Sequence, residues 1–175
     1  MFFVANKNAP GELRRMSKKA VSAKAPVAAT PATGKAAAGK TALKDMTGLS
    51  QIGKTKNAPS KVLETFPNHH AGRHYVVELS TDEFTCLCPA TGQPDFATIT
   101  IRYIPGPRIV ESKSLKLYLW SFRNEGCFHE HLTNLMLDDL AKALDPVWLE
   151  VTGEFGVRGG IAITVRAEHG KKPKA

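Results

Sequence analysis

Alternation of apolar and polar residues predicts four β-strands along the second half of the chain. The clearest case is FATITIRYI, residues 96–104, whose apolar side chains share one face of an extended backbone and whose polar side chains share the other. The apolar set is Ala97, Ile99, Ile101 and Tyr103. Three further stretches have a similar character, namely 73–80, 147–155 and 160–168.

Two helical patterns lie between the second and third of these strands. Residues 129–144 place their large apolar residues in one stripe at helical spacing, and Pro146 ends the pattern. The stripe consists of Leu132, Leu135, Met136, Leu140 and Leu144. Residues 111–124 show a shorter repeat through Leu115, Leu119 and Phe122, with Ser112 or Ser114 as the expected N-cap.

The order of elements is two strands, two helices and two strands, which predicts an α+β fold. An antiparallel four-stranded sheet with both helices on one face satisfies this order. Such a sheet has two open edges, and oligomerisation is one way in which proteins cover them.

Charge divides the chain into a basic tail and a nearly neutral domain. Residues 1–60 contain eleven Lys and Arg against two acids, which gives +9, and the remaining residues bring the total to +8. Residues 18–44 are mostly Ala, Lys, Thr, Pro and Gly and lack aromatic residues. We therefore expect a disordered basic tail over 1–46, a folded domain over 47–170 and a short basic tail over 171–175.

The tail itself has two interpretations. It is either a solubilising extension, which includes the case of a start codon placed too early, or a segment that loosely holds nucleic acid or an anionic membrane by charge; the first is favoured. No run of 18 apolar residues indicates a membrane span. Three cysteines, an odd number, favour a reducing cytoplasm over a disulfide framework.

The stretch FTCLCPATGQPDF, residues 84–96, concentrates the candidate chemistry. Cys86 and Cys88 precede a turn, and Asp95 opens the next strand. The two cysteines can be small buried hydrophobes, the interpretation that the residues alone favour. They can also be zinc ligands together with Cys127, His129 and His131, or one of them can be a nucleophile with Asp95 as its acid.

Three weaker signals point to anions or to a base. Ser112, Lys113 and Lys116 begin a predicted helix, where backbone amides and ammonium groups suit a phosphate, although the stretch alone favours an ordinary capped surface helix. Arg158, in VRGG, is a second anion signal. Glu130 has two acceptor oxygens that suit a pair of N–H donors on a base, although it can equally be a helix-stabilising charge.

The segment from FTCLCPATGQPDF through VESKSLKLY to FHEH, followed by GVRGGIAI, resembles the NADPH-dependent 7-cyano-7-deazaguanine reductases, in their short single-module form. These are the nitrile reductases of queuosine biosynthesis, a tRNA modification pathway. The resemblance covers about residues 48–170. It implies the tunnelling fold, with subunits assembled into oligomeric barrels as two stacked rings and with active sites at subunit interfaces. It implies no membrane association and no direct binding of tRNA.

The resemblance also assigns roles to individual positions. Cys88 matches the nucleophile and Asp95 the proton donor. The substrate-binding positions are Val110, Glu111, Ser112, His129 and Glu130. The positions that hold NADPH are Ser112, Lys113, Arg158 and Gly159, and no metal site is implied.

The implied reaction converts the nitrile of 7-cyano-7-deazaguanine to an aminomethyl group. Cys88 adds to the nitrile to give a covalent thioimide while Asp95 protonates the nitrogen, and two NADPH supply the reducing equivalents. Two alternatives remain open: a zinc-dependent GTP or pterin cyclohydrolase on the same fold, and a nucleic-acid-binding module that uses the basic tail.

Overall fold

The computed structural model describes residues 46–53 and 57–172. Except for Met46, the N-terminal tail expected over 1–46 lies outside the described residues, as do residues 173–175 of the C-terminal tail. The folded domain expected over 47–170 is therefore the part of the chain whose structure can be compared with the sequence.

The described residues form six strands and two helices. In chain order these are β1 Thr65–Pro67, β2 Val77–Leu87, β3 Pro94–Ile104, β4 Arg108–Val110, α1 Ser112–Trp120, α2 His129–Leu144, β5 Trp148–Arg158 and β6 Ile161–Gly170. The long strands form a four-stranded antiparallel sheet in the order β2-β3-β5-β6. The prediction of an α+β fold with a four-stranded antiparallel sheet is confirmed.

One face of this sheet carries the core. The predicted inward set of β3 is buried, and its partners across β5 include Leu149, Val151 and Phe155. Helix α2 packs over β5 and β6, and α1 lies beside β2. Residues of both helices join the same core cluster, so both helices cover this face of the sheet.

Several boundaries differ from the sequence expectation. Strand β2 begins at Val77 rather than 73 and continues to Leu87. The predicted strand stops at residue 80 because a bulge between Thr81 and Phe84 interrupts the alternation that marks a strand. Strands β1 and β4 form an additional two-stranded sheet. Each has only three residues, too few for a period of two to be recognised.

Helix α1 begins at a different cap from the one expected. Glu111, not Ser112 or Ser114, is the N-cap, and its carboxylate accepts hydrogen bonds from the backbone N–H groups of Lys113 at 2.8 Å and Ser114 at 2.7 Å. Ser114 is buried and its hydroxyl donates to Glu111 O at 2.8 Å. The helix ends at Trp120 and a turn follows, so the predicted 111–124 is too long.

Three features converge at one end of the large sheet: the β2–β3 turn, the β5–β6 turn and the start of α2. None of the described helices combines the length and the apolar character that a transmembrane segment needs. Cys88, Asp95, His129 and Arg158 lie at this end of the sheet.

Candidate functional site

The β2–β3 turn holds Cys88 at a fixed distance from the start of β3. The Cys88 N–H donates to Gln93 O at 2.8 Å, and the Gly92 N–H donates to Cys88 O at 2.8 Å. Gly92 has φ 68°, a conformation that favours glycine. Two hydrogen bonds therefore close the turn between the thiol and Asp95.

The two cysteines of this stretch lie in opposite environments. Cys86 is fully buried in the core and pairs with Asp95 across the β2–β3 ladder. Burial, and then the negative charge of Asp95, raise the pKa of the Cys86 thiol to about 11. Cys86 is therefore a small buried hydrophobe, as the first interpretation of the cysteines had it.

Cys88 lies beyond the end of β2 and is partly exposed. Its pKa is lowered to about 7, chiefly because the Thr91 side chain hydrogen-bonds to the sulfur. The backbone of Thr91 and Ala90 and the side chain of Arg158 contribute in the same direction. A thiol with this pKa is substantially ionised at neutral pH, which is the form that acts as a nucleophile.

Asp95 is buried, with 5% of its surface exposed, and two basic side chains contact its carboxylate. Arg158 Nε lies 2.6 Å from Oδ1, and His129 Nε2 lies 3.3 Å from Oδ2. Both oxygens of the acid are thus engaged by groups from β5 and α2. We call Cys88, Asp95, His129 and Arg158 the thiol–acid cluster.

Arg158 occupies the centre of this cluster. Besides its contact with Asp95, its Nη2 donates to Gln93 O at 3.4 Å and to Pro94 O at 3.2 Å. Gly159, with φ 56°, starts the turn into β6 directly after it. The family resemblance assigns Arg158 to the cofactor alone, and its contacts with the acid could not be inferred from the pattern VRGG.

The loop before α2 brings Glu130 to the same end of the sheet. Leu87 N–H donates to Glu125 O at 3.0 Å and Cys127 N–H donates to Leu87 O at 3.1 Å, which docks this loop along the end of β2. Gly126 allows the close approach, because a side chain there would lie 3.2 Å from Pro89 Cα. Glu130 is the second residue of α2, and its side chain is exposed.

The remaining predicted positions form a second group. Val110, Glu111 and Ser112 border a cavity of about 370 Å³ whose other lining residues are Met46, Leu49, Ile52 and Phe66. Lys113 is the next residue of α1 and is half-buried. The Glu111 carboxylate is already used to cap α1. Contact between Glu111 and a substrate stays a prediction.

The second group lies at the far end of the sheet from the thiol–acid cluster. Val110 N–H donates to the Tyr103 hydroxyl at 3.3 Å, and Tyr103 is eight residues along β3 from Asp95. Eight residues of strand span about 26 Å. A single chain therefore does not bring all the predicted site residues together.

Neither the thiol–acid cluster nor the second group contains a set of side chains arranged as metal ligands. Over residues 46–53 and 57–172, no group of three or more His, Cys, Asp or Glu side chains is arranged to hold a metal ion. Cys86 is buried in the core, and His129 is engaged with Asp95. The donors weighed for a zinc site thus do not form one within the described part of the chain.

Comparison with known proteins identifies the relatives of this chain. A family model described as QueF-like protein matches residues 94–174. The NADPH-dependent 7-cyano-7-deazaguanine reductase of Syntrophus aciditrophicus is 59% identical over 133 residues, which cover 76% of this chain and 94% of the relative. Proteins of the same name from Anaeromyxobacter sp. (strain K) and Alkalilimnicola ehrlichii are each 61% identical, over 66% and 65% of this chain and 94% and 88% of their own lengths.

A solved structure extends the similarity to three dimensions. The crystal structure of the archaeosine synthase QueF-Like in the apo form superposes with a TM-score of 0.52 at 26% identity, over 56% of this chain and 96% of that one. Sequence identity near 60% across almost the whole length of several relatives is sufficient to fix the family. The chain belongs to the family of the NADPH-dependent 7-cyano-7-deazaguanine reductases.

Proposed function

We propose that this protein reduces the nitrile of 7-cyano-7-deazaguanine to an aminomethyl group, with two NADPH and through a covalent thioimide on Cys88, in queuosine biosynthesis. The observation that carries the proposal is the pairing of two reactive groups across one closed turn. Cys88, with its pKa lowered to about 7, lies at one end of this turn, and the buried carboxyl of Asp95 lies at the other.

The first step needs a nucleophile and an acid that act on two adjacent atoms of the substrate. The Cys88 thiolate attacks the nitrile carbon and forms the C–S bond, while the π pair moves to nitrogen and takes a proton from Asp95, which gives a neutral thioimide. The carbon and nitrogen of a nitrile are bonded to each other, so the two groups must be held at a fixed spacing. The hydrogen-bonded turn between residues 88 and 95 provides that restraint.

Later steps return Cys88 and Asp95 to their starting forms. After the first reduction at carbon, the C–S bond breaks, the thiolate leaves and an imine results. The imine carbon accepts a second hydride, and its nitrogen takes a second proton from Asp95. His129, at 3.3 Å from Asp95, is placed to return a proton to the carboxylate between steps.

The residues assigned to NADPH have the chemistry that a phosphorylated cofactor requires. Lys113 and Arg158 are cationic, Ser112 is an exposed hydroxyl at the start of α1, and Gly159 leaves open space beside the backbone, since a Cβ there would meet nothing within 4 Å. Each NADPH, when bound, would supply one hydride, so two are needed for each nitrile. These residues would bind and orient NADPH, Ser112 and Lys113 from one group and Arg158 and Gly159 from the other.

The substrate contacts that we propose divide in the same way. His129 belongs to the thiol–acid cluster and Glu130 follows it on α2, whereas Val110, Glu111 and Ser112 lie at the far end of β3. A site that uses both sets requires more than one copy of the chain. We therefore propose that the active sites form at interfaces between subunits.

The sheet supports such an assembly. Strands β2 and β6 each pair with only one of the other described strands, so each leaves an edge open. We propose that these edges join copies into oligomeric barrels of the tunnelling-fold type. The lowered pKa of Cys88 requires a reducing environment if the thiol is to persist, which favours a cytoplasmic location.

The direct test mixes the purified protein with 7-cyano-7-deazaguanine and NADPH and follows the nicotinamide absorbance. We expect two NADPH oxidised per nitrile consumed, with the aminomethyl product found by mass spectrometry. The Cys88→Ala variant serves as the control. Wild-type protein that folds and assembles but oxidises no NADPH with this nitrile would refute the proposal, and hydrolysis of GTP by a zinc-loaded sample would favour the cyclohydrolase.

A mixing experiment tests the shared site separately. Cys88→Ala and Ser112→Trp should each be inactive, the first for lack of the nucleophile and the second because bulk at an exposed position blocks the second group. Co-expressed, the two variants should regain part of the wild-type activity, because some interfaces then receive an intact residue from each copy. An inactive mixture of co-assembled variants would contradict the shared site.

A further inference from the structure

His129 stacks face to face on a residue that the reaction does not use. The His129 and Phe155 rings lie with centroids 3.9 Å apart and an interplanar angle of 8°. Phe155 is on β5, is buried with 5% exposure and pairs with Ala97 of β3, two residues from Asp95. The stack therefore packs His129 of α2 against β5, the strand that pairs with the Asp95-bearing strand β3.

The start of α2 does not itself orient the imidazole ring. His129 is the first helical residue, and the N-cap Phe128 makes no side-chain capping hydrogen bond. The contact from His129 Nε2 to Asp95 is 3.3 Å, at the long end for a hydrogen bond. A small rotation of the ring would break this contact, so its geometry depends on whatever fixes the ring plane.

The ring of Phe155 is itself held in place by its neighbours. A Cβ at Gly153 would lie 2.8 Å from Phe155 Cε2, so only glycine leaves room for the ring in this position. Thr133 Oγ1 would lie 3.2 Å from that same Cβ, and its hydroxyl donates to His129 O at 2.9 Å. Packing around Gly153 thus fixes the position of both the Phe155 ring and the first turn of α2.

We infer that Phe155 is a positioning residue for the reaction, with Gly153 providing the space for its ring. The inference rests on the proposed function, since it concerns how His129 meets Asp95. Stacking leaves the imidazole free to slide in its plane but prevents it from tilting away from the carboxylate. Without the stack, the ring would sample orientations in which Nε2 no longer reaches Asp95, and return of protons to the acid would slow.

The test compares Phe155→Leu and Gly153→Ala with Phe122→Leu. Phe122 is also buried and pairs with an aromatic ring, Tyr118, at 5.2 Å, but does not contact His129. We expect kcat to fall roughly tenfold to a hundredfold in the first two variants, with KM for the nitrile little changed, because misplacing a catalytic group by about 1 Å costs this much. Phe122→Leu should lower the melting temperature by a similar amount and leave kcat near wild type.

Nuclear magnetic resonance of histidine-labelled protein gives a readout independent of turnover. The ring current of Phe155 should shift the His129 ring protons upfield in wild type, and this shift should be lost in Phe155→Leu and kept in Phe122→Leu. Unchanged His129 signals, or unchanged kcat in both Phe155→Leu and Gly153→Ala, would overturn the inference. Absence of turnover in wild type together with a lost ring-current shift would count against the proposed function and leave the stacking geometry supported.

Discussion

The guanidinium Nε of Arg158 lies 2.6 Å from Oδ1 of Asp95, so a residue expected to bind the cofactor is also bonded to the expected acid. The same side chain helps to lower the pKa of the Cys88 thiol. Arg158 therefore contacts both groups of the proposed first step, which is complete before any hydride moves. Its importance should appear in adduct formation as well as in cofactor binding.

Arg158→Gln should slow formation of the Cys88 adduct in the absence of NADPH. Loss of hydrogen bonds to a charged group costs about 1.5–3 kcal/mol, which corresponds to roughly tenfold to a hundredfold in rate. Intact-mass spectrometry at timed intervals measures this rate. Arg166→Gln is the matched control, because Arg166 is exposed and its carboxylate partner is Glu150, 3.8 Å away, not Asp95. Adduct formation at the wild-type rate in Arg158→Gln would confine Arg158 to the cofactor.

Alkylation of Cys88 by iodoacetamide should follow a titration with its midpoint near pH 7. The pKa is lowered, so the reactive thiolate is present above pH 7 and is lost as the pH falls below it. Thr91→Val removes the largest cause of the shift and should move the midpoint to higher pH. A Cys127→Ser background keeps the measurement on Cys88, and the pKa of Cys86, raised to about 11, keeps that buried thiol silent. A midpoint that does not move in Thr91→Val would show that another group activates the thiol.

The family resemblance names the residues of the thiol–acid cluster, but several of their contacts have no signal in the sequence. The alternation in β3 and the stripe in α2 predicted the sheet and the longer helix because each pattern runs over nine residues or more. The family resemblance assigns roles to Cys88, Asp95 and His129, and these roles stay predictions. The stack of Phe155 on His129 had no signal, because an apolar residue at an inward strand position is indistinguishable from ordinary core until the register of β5 is known.

The cap of α1 shows a second limit of the sequence. Serine is a common N-cap, and ESKS offers two of them, yet the carboxylate of Glu111 reaches the N–H groups of Lys113 and Ser114. Which of several polar residues caps a helix depends on where the backbone leaves β4, and β4 is too short to be predicted. The separation of the two site groups follows from the same tertiary arrangement.

Glu130→Gln should weaken binding of 7-cyano-7-deazaguanine by about 1–3 kcal/mol, because an acceptor oxygen is replaced by a donor facing donors on the base. Glu130 is exposed on one chain, so this discrimination requires that an interface or the substrate cover it. Calorimetry on Cys88→Ala protein measures binding without chemistry. Asp138→Asn, at another exposed position of α2, should bind as before. Equal affinity in Glu130→Gln would refute the assignment.

A chain that begins at Met46 should fold, assemble and turn over like the full chain, because every residue assigned a role lies beyond that point. A chain that begins at Asn57 should fold and assemble but turn over less efficiently. It lacks Met46, Leu49 and Ile52 from the cavity beside Val110, and Ser50, whose N–H donates to the Glu64 carboxylate at 2.9 Å. We expect a higher KM in steady-state assays of the shorter chain. Loss of activity already in the Met46 chain, assembled and at any salt concentration, would move the domain boundary towards the N-terminus.

The most direct test of the account is intact-mass spectrometry of protein mixed with 7-cyano-7-deazaguanine alone. We predict an added mass equal to one nitrile in the wild type and in Cys86→Ala, its removal on addition of NADPH, and no added mass in Cys88→Ala. Cys86 is the matched control, since it lies two residues away but is buried with its pKa raised. An adduct that persists in Cys88→Ala, or oxidation of NADPH by that variant at the wild-type rate, would contradict the covalent mechanism.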